Sequence, residues 1–268
     1  MKKKSEAAWA SSGVSVLLAC IGLAGVPVGA SADETLLCDK YINAVPYTIT
    51  KPGHYCLKSN LSTAMFSGNA ITIESDSVWL DLNNFILDGS AAGLATAANG
   101  IYSEDYRDIT VRNGVVRGFM FGIDLETRAR GRNYNVENIR AEGNTVASIF
   151  LPATSEGPGG RHTIRNNVVI DTGGSTAFGA GAGFAIVLGG DGHVSGNDVI
   201  NVSGNAPNLA IAFDLRDGTA IVSDNKVSGA GVGFKCHTPA KYLRDNTAVV
   251  TGVAYSPLCI KIGITNFP

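Results

Sequence analysis

Apolar and polar positions along this chain follow neither a helical period nor a simple alternation. They recur in blocks. An aliphatic residue stands two positions before an Asn, Asp or Gly at Leu82, Val111, Val136, Ile164, Val194, Val222 and Leu243, and that third position is Asn84, Asn113, Asn138, Asn166, Gly196, Asp224 and Asp245. Three residues later comes a second apolar column, Leu87, Val116, Ala141, Val169, Val199, Val227 and Ala248. Upstream in each block a small residue precedes a large apolar one: Ala70-Ile71, Gly100-Ile101, Gly122-Ile123, Ser148-Ile149, Ala185-Ile186, Ala210-Ile211 and Gly233-Phe234. Internal self-similarity of this kind marks a stacked repeat. The blocks are 21 to 30 residues apart, too short for a propeller blade, and they lack the helix and leucine consensus of a leucine-rich repeat.

The pattern predicts three strands per block, with one fixed two-residue corner and two variable loops. The corner is rich in Asn, continuing through Asn167, Asn197, Asn225 and Asn246. Asn tolerates the left-handed backbone that a tight corner requires, and amides stacked at strand spacing can hydrogen-bond to one another. The fold expected is all-β: a right-handed parallel β-helix of about seven coils over residues 69–253, with a cap and first strands over 33–68 and a C-terminal cap over 254–268.

Residues 1–32 stand apart. Lys2, Lys3 and Lys4 precede an apolar run from Val14 to Val28 and the small residues Ala30-Ser31-Ala32, which reads as a secretory signal peptide. The alternatives are a retained anchor and a lipoprotein site at Leu17-Leu18-Ala19-Cys20. A secreted or periplasmic protein is expected, with no membrane association once the signal is removed. Cleavage takes away three lysines and Glu6 and moves the formal charge from −2 to −4. With no basic tract, nucleic acid is not an expected partner. Four cysteines remain, Cys38, Cys56, Cys236 and Cys259, two near each end. In an oxidising compartment they read as two disulfides between neighbours, stapling the open ends of the solenoid, with a zinc site as the poorer alternative.

The repeats from Asn99-Gly100-Ile101 to Val111-Arg112-Asn113, and their copies through Asp245-Asn246, resemble the right-handed β-helix repeats of the pectate-lyase-like superfamily. The resemblance covers roughly residues 69–253. It implies the fold strongly and the chemistry weakly, because members include polysaccharide lyases, glycoside hydrolases, epimerases, tailspikes and adhesins. It also implies a ligand groove on the outer face of the Gly-Ile-x-x strands. The Asn-Thr-Asp, Asp-Asp, Gly-His-Gly and Arg-Ile-Lys set of polygalacturonases and the Asp-Pro-His-Asp of alginate epimerases are absent, so those mechanisms do not transfer.

Alternation assigns to that outer face a row of Thr72, Tyr102, Asp124, Phe150, Val187, Ala212 and Lys235, and a second row of Glu74, Glu104, Glu126, Pro152, Gly189, Asp214 and His237. The acidic half, Glu74, Glu104, Asp124 and Glu126, suggests a shared proton, a general acid or a cation such as Ca²⁺; solvated surface carboxylates are the alternative. The other half offers Lys235, His237, Asp214 and Arg216, a cation beside a base, as a lyase requires. Tyr102 and Lys235 lie five repeats apart, roughly 24 Å at strand spacing, so one end alone can hold the reacting centre. The loops Pro152–Arg161 and Thr172–Gly181 are expected to wall the groove around Phe150. The site expected is therefore Tyr102, Asp124 and Glu126 as catalytic residues, with Glu104, Phe150, Arg161 and His162 binding substrate; no metal ligand set is identified. Arg112, Glu137, Arg165 and Arg244 read as a charge-balanced solvent face on another sheet. The function expected is a carbohydrate-active protein acting on a polysaccharide or oligosaccharide, a lyase before a hydrolase, with a non-catalytic carbohydrate-binding or surface protein as the alternative. Whether it is a monomer or a homo-oligomer stays open.

Overall fold

A computed structural model describes residues 38–153, 160–177 and 181–262. All of them belong to the compact unit that begins at Leu36. The expected signal peptide lies outside the described residues, as do parts of the two expected wall loops. Among the described residues no helix is long and apolar enough to cross a membrane.

The described chain is nearly all β, one long sheet in which every strand pairs in parallel with strands of the neighbouring repeats. The pairing resolves into three ladders, an arrangement compatible with a β-helix. One runs through Tyr47–Ile49, Ser67–Ile73, Ala97–Glu104, Phe121–Glu126, Ala147–Leu151, Gly183–Leu188, Ala210–Leu215 and the end of Lys226–Cys236. A second begins with Lys40–Ile42, Gly53–Leu57 and Val78–Asp81 and continues through His162–Arg165, Gly192–Ser195, Ala220–Ser223 and Lys241–Arg244. The third carries Ile86–Asp88, Val168–Thr172 and Asp198–Val202. Strands Ile109–Arg117 and Asn135–Glu142 run through the corner between the second and third. The ladders reach upstream of residue 69, where Tyr47 pairs with Ile71 and Tyr55 with Leu80.

The corner explains why these residues recur. Asn84, Asn113, Asn138, Asn166, Gly196, Asp224 and Asp245 all have φ between 54° and 64°, the left-handed region that Asn, Asp and Gly enter at least cost. Beside them Asn167, Asn197, Asn225 and Asn246 are fully buried and joined amide to amide at 2.9, 2.8 and 2.9 Å. Each Nδ2 also donates to a backbone carbonyl, of Val136, Ile164, Val194 and Val222 in turn. Deleting one rung strands buried polar groups, each costing about 1–3 kcal/mol. In the earlier repeats Gly114 and Ile139 hold this level instead; a Cβ on Gly114 would come within 2.4 Å of Leu82.

The second apolar column pairs throughout, Leu87 to Val116 and on to Ala248. Two registers differ from the sequence pattern. Val111 pairs with Leu80 rather than Leu82, because the first corner is longer, with Asn83 and Asn84 both at positive φ. In the first ladder Ile186 pairs with Phe213, not Ile211. Ala212-Phe213 thus supplies the small–large pair, and the Phe213 ring stacks on Phe234 at 4.7 Å. Phe234 stacks in turn on Tyr255, over which Lys261 sits at 4.3 Å. Disulfides Cys38–Cys56 and Cys236–Cys259 join neighbours near the two ends. Each closes a loop whose constraint on the unfolded chain is worth about 3 kcal/mol.

Candidate functional site

The outer face of the first ladder carries the residues with chemistry. Its register corrects the expected rows: Asp214 pairs with Val187 and Lys235, so the row reads Thr72, Tyr102, Asp124, Phe150, Val187, Asp214, Lys235. Ala212 is interior. Arg216 therefore follows Asp214 by two residues, as His237 follows Lys235. The two-residue shift sets Asp214 directly beside Lys235.

At the acidic end the strands bring together most of the expected residues. Tyr102 pairs with Asp124 and Glu104 with Glu126. The Tyr102 hydroxyl donates to Glu104 at 2.6 Å. Burial, then that hydrogen bond and the charge of Glu126, raise the Tyr102 pKa, which keeps the phenol protonated and makes it a poor base. Asp124 is 2% exposed and its Oδ1 has no hydrogen-bond partner. Burial first, and Glu126 next, push its pKa up to about 8, with Arg128 pulling the other way. Arg128 bridges Glu126 at 2.6 Å and Glu104 at 3.4 Å. Its position depends on a residue that sequence reading passed over. Asp105 Oδ1 accepts from the backbone N–H groups of Arg128, Ala129, Arg130 and Gly131. Burial pushes the Asp105 pKa up, but those hydrogen bonds outweigh it and hold the pKa below the usual carboxylate value.

The centre of the face is aromatic. Phe150 stacks on Phe121 from the preceding repeat at 4.7 Å. From two repeats beyond, Arg216 reaches over the Phe150 ring at 5.4 Å. Both neighbours compete with a sugar for that ring, so Phe150 acts here as the bed on which Arg216 lies. Val187, between them, is fully buried.

The cationic end is a second polar cluster, built around one buried carboxylate. Asp214, again 2% exposed, receives Arg216 at 2.9 Å through one oxygen and His237 Nε2 at 2.7 Å through the other. With a carboxylate accepting, Nε2 carries the proton and Nδ1 keeps its lone pair. The His237 side chain is 41% exposed, and Lys235 beside it forms no ion pair among the described residues. Asp214 orients a base and a cation together, within the group of Lys235, His237, Asp214 and Arg216 that the sequence offered as the rival to the acidic end.

Arg161 and His162 do not join either end. His162 faces the interior, 1% exposed and stacked on Tyr134 at 4.8 Å. Its Nδ1 accepts the Tyr134 N–H at 3.3 Å, and burial lowers its pKa to about 4. The expected wall histidine is thus a core residue, because an apolar column of the second ladder claims its position. Arg161 is exposed and lines a cleft of about 410 Å³ with Asp191, His193 and Thr219 on the second ladder. On that same ladder Arg112 pairs with Asp81 and Arg165 with Glu137, the charge-balanced face expected. Among the described residues, the metal-capable group with converging ligand atoms is Cys38, His54 and Cys56, and its two sulfurs are joined in a disulfide.

Comparison with known proteins adds no relative: no family model, curated protein or solved structure matches the chain.

Proposed function

We propose that the chain is an exported right-handed parallel β-helix of about seven coils, akin to the pectate-lyase-like superfamily. In this reading it acts as a lyase on a uronate-containing polysaccharide in a groove along the outer face of the first ladder. The observation that carries the reading is the buried Asp214 carboxylate holding His237 and Arg216 at once. The disulfides near both ends support export, since such bonds persist in oxidising compartments.

The chemistry follows from the residues. Lys235 and Arg216 meet the uronate carboxylate and offset the charge that develops as the adjacent carbon loses its proton. His237 Nδ1 takes that proton. The C–H electron pair becomes the C4=C5 double bond, the bond from C4 to the glycosidic oxygen breaks, and the departing oxygen takes a proton from water. Asp214 holds the imidazole in the tautomer this requires and stabilises the imidazolium formed. The acidic end, favoured from sequence, suits this chemistry less: Tyr102 stays protonated and Glu104 and Glu126 repel a carboxylate.

The test is incubation of the purified exported protein with a panel of polysaccharides, following the ultraviolet absorbance of unsaturated uronates and reducing ends in parallel. Unsaturated product is expected, reduced about 10²–10⁴-fold in His237→Ala, the range for a general base. Reducing ends without unsaturation would mean hydrolysis. Binding without either would mean a carbohydrate-binding protein and would sink the lyase reading.

A further inference from the structure

The two ends of the outer face make opposite demands on one polymer. A chain lying along the groove from His237 past Phe150 to Glu104 passes first over Lys235 and Arg216. It then passes over apolar Val187 and Phe150, and then over Glu126 and Glu104. Asp124 and Asp214 occupy the same row three repeats apart, roughly 14 Å at strand spacing, a length that several sugar residues span. From these positions we infer that the substrate is a heteropolysaccharide, with a uronate seated at Lys235, Arg216 and His237 and an uncharged or amino-bearing sugar seated a few residues away at Glu104 and Glu126. The inference rests on the lyase reading for the direction of the chain and extends it to the substrate class.

Three observations support it besides the acidic side chains themselves. Arg128, the cation at that end, is already engaged by both Glu126 and Glu104, so it offers little to an incoming carboxylate. Asp124 is buried with Oδ1 unpartnered, a polar group suited to a hydroxyl or amide donor and not to an anion. Arg216, held by Asp214, lies over Phe150, and the row between Asp124 and Asp214 holds Phe150 and Val187, so that row adds no further cation. A homopolyuronate would set like charges against Glu104 and Glu126 wherever its reacting unit met His237, and like-charge juxtaposition discriminates strongly between ligands. Glu104 and Glu126 are thus specificity-determining residues for a reaction they do not perform.

The experiment compares homopolyuronates (polygalacturonate, polymannuronate) with alternating polymers of a uronate and a neutral or N-acetylated sugar (hyaluronan, unsulfated chondroitin). Each is measured for release of unsaturated product and, separately, for affinity by gel retardation. The inference expects an alternating polymer to be preferred at least about tenfold, which corresponds to about 1.4 kcal/mol of differential binding. It also expects Glu104→Gln/Glu126→Gln to improve turnover or binding of the homopolyuronates while giving the alternating polymers no gain. Equal or better use of a homopolyuronate by the wild-type protein overturns the inference and leaves the lyase reading standing. Preferred binding of an alternating polymer with no unsaturated product does the reverse. Binding of neither polymer class overturns both. Because the wild-type comparison needs no variant, a double variant that folds poorly does not decide the matter.

Discussion

Asp124 and Asp214 sit in the same row of the same face, each 2% exposed, yet they do different things. Asp214 has Arg216 on one oxygen and His237 on the other. Asp124 has Glu126 and Glu104 as its nearest charges of consequence, with Arg128 already shared between them, and its pKa rises to about 8. Burial is the largest cause of the rise at Asp124, and Glu126, two residues along the same strand, adds to it. What separates the two sites is their partners: Asp214 is hydrogen-bonded through both oxygens, whereas Asp124 Oδ1 has no partner.

The sharpest way to break this comparison is at the cationic end. Asp214→Asn should lower formation of unsaturated product by about 10²-fold or more, because the imidazole loses the carboxylate that selects its tautomer. A rate within a factor of two of wild type would remove Asp214 from the proposed mechanism. Next in size is stability. Asp214→Leu should cost about 1–3 kcal/mol, since it strips the hydrogen-bond acceptor from Arg216 and His237, both of which are partly exposed to water, whereas Asp124→Leu should be neutral or stabilising at pH 7. Equal losses in urea unfolding would show that burial, not partners, governs both sites.

The pH dependence comes third. Asp124 in the folded chain holds its proton up to about pH 8, whereas in the unfolded chain it releases it near the ordinary aspartate value of 3.8. The folded state then binds more protons between those limits, so its contribution to stability is fully present below about pH 4 and is lost as pH rises through 8. Asp124→Asn should flatten that part of the stability profile. The smallest effect belongs to Arg128, whose charge lowers the Asp124 pKa. Arg128→Gln should move the Asp124 midpoint, read by carboxyl NMR, upward by less than about one pH unit, because the guanidinium is solvent-screened. A downward shift would contradict the assigned neighbours.

The corner and the columns were legible because each repeat imposes the same local requirement. A left-handed residue is needed at Asn84, Asn113 and their counterparts, and an inward aliphatic at Val116 and its counterparts. Local backbone chemistry marks such positions wherever they fall. The neighbour pairing of the four cysteines followed from their clustering near the two ends. The candidate site was half legible. The acidic residues came together as alternation implied, but Ala210-Ile211 and Ala212-Phe213 both read as a small residue before a large one. Local pattern offers no choice between them. Only packing chooses, by setting Phe213 on Phe234, and that choice moves Asp214 beside Lys235. His162 was misplaced for a different reason: it begins the strand His162–Arg165, two residues before inward Ile164, and so shares its face, rather than ending the wall loop.

By itself, then, the sequence determined the all-β class, the repeat, its corner residues and the cysteine pairing, because each is written in short-range constraints repeated many times. The tertiary structure decided the pairing at the cationic end. A strand slipped by two residues keeps every side chain on the same face while exchanging every neighbour across the ladder, and that exchange sets Asp214 beside Lys235.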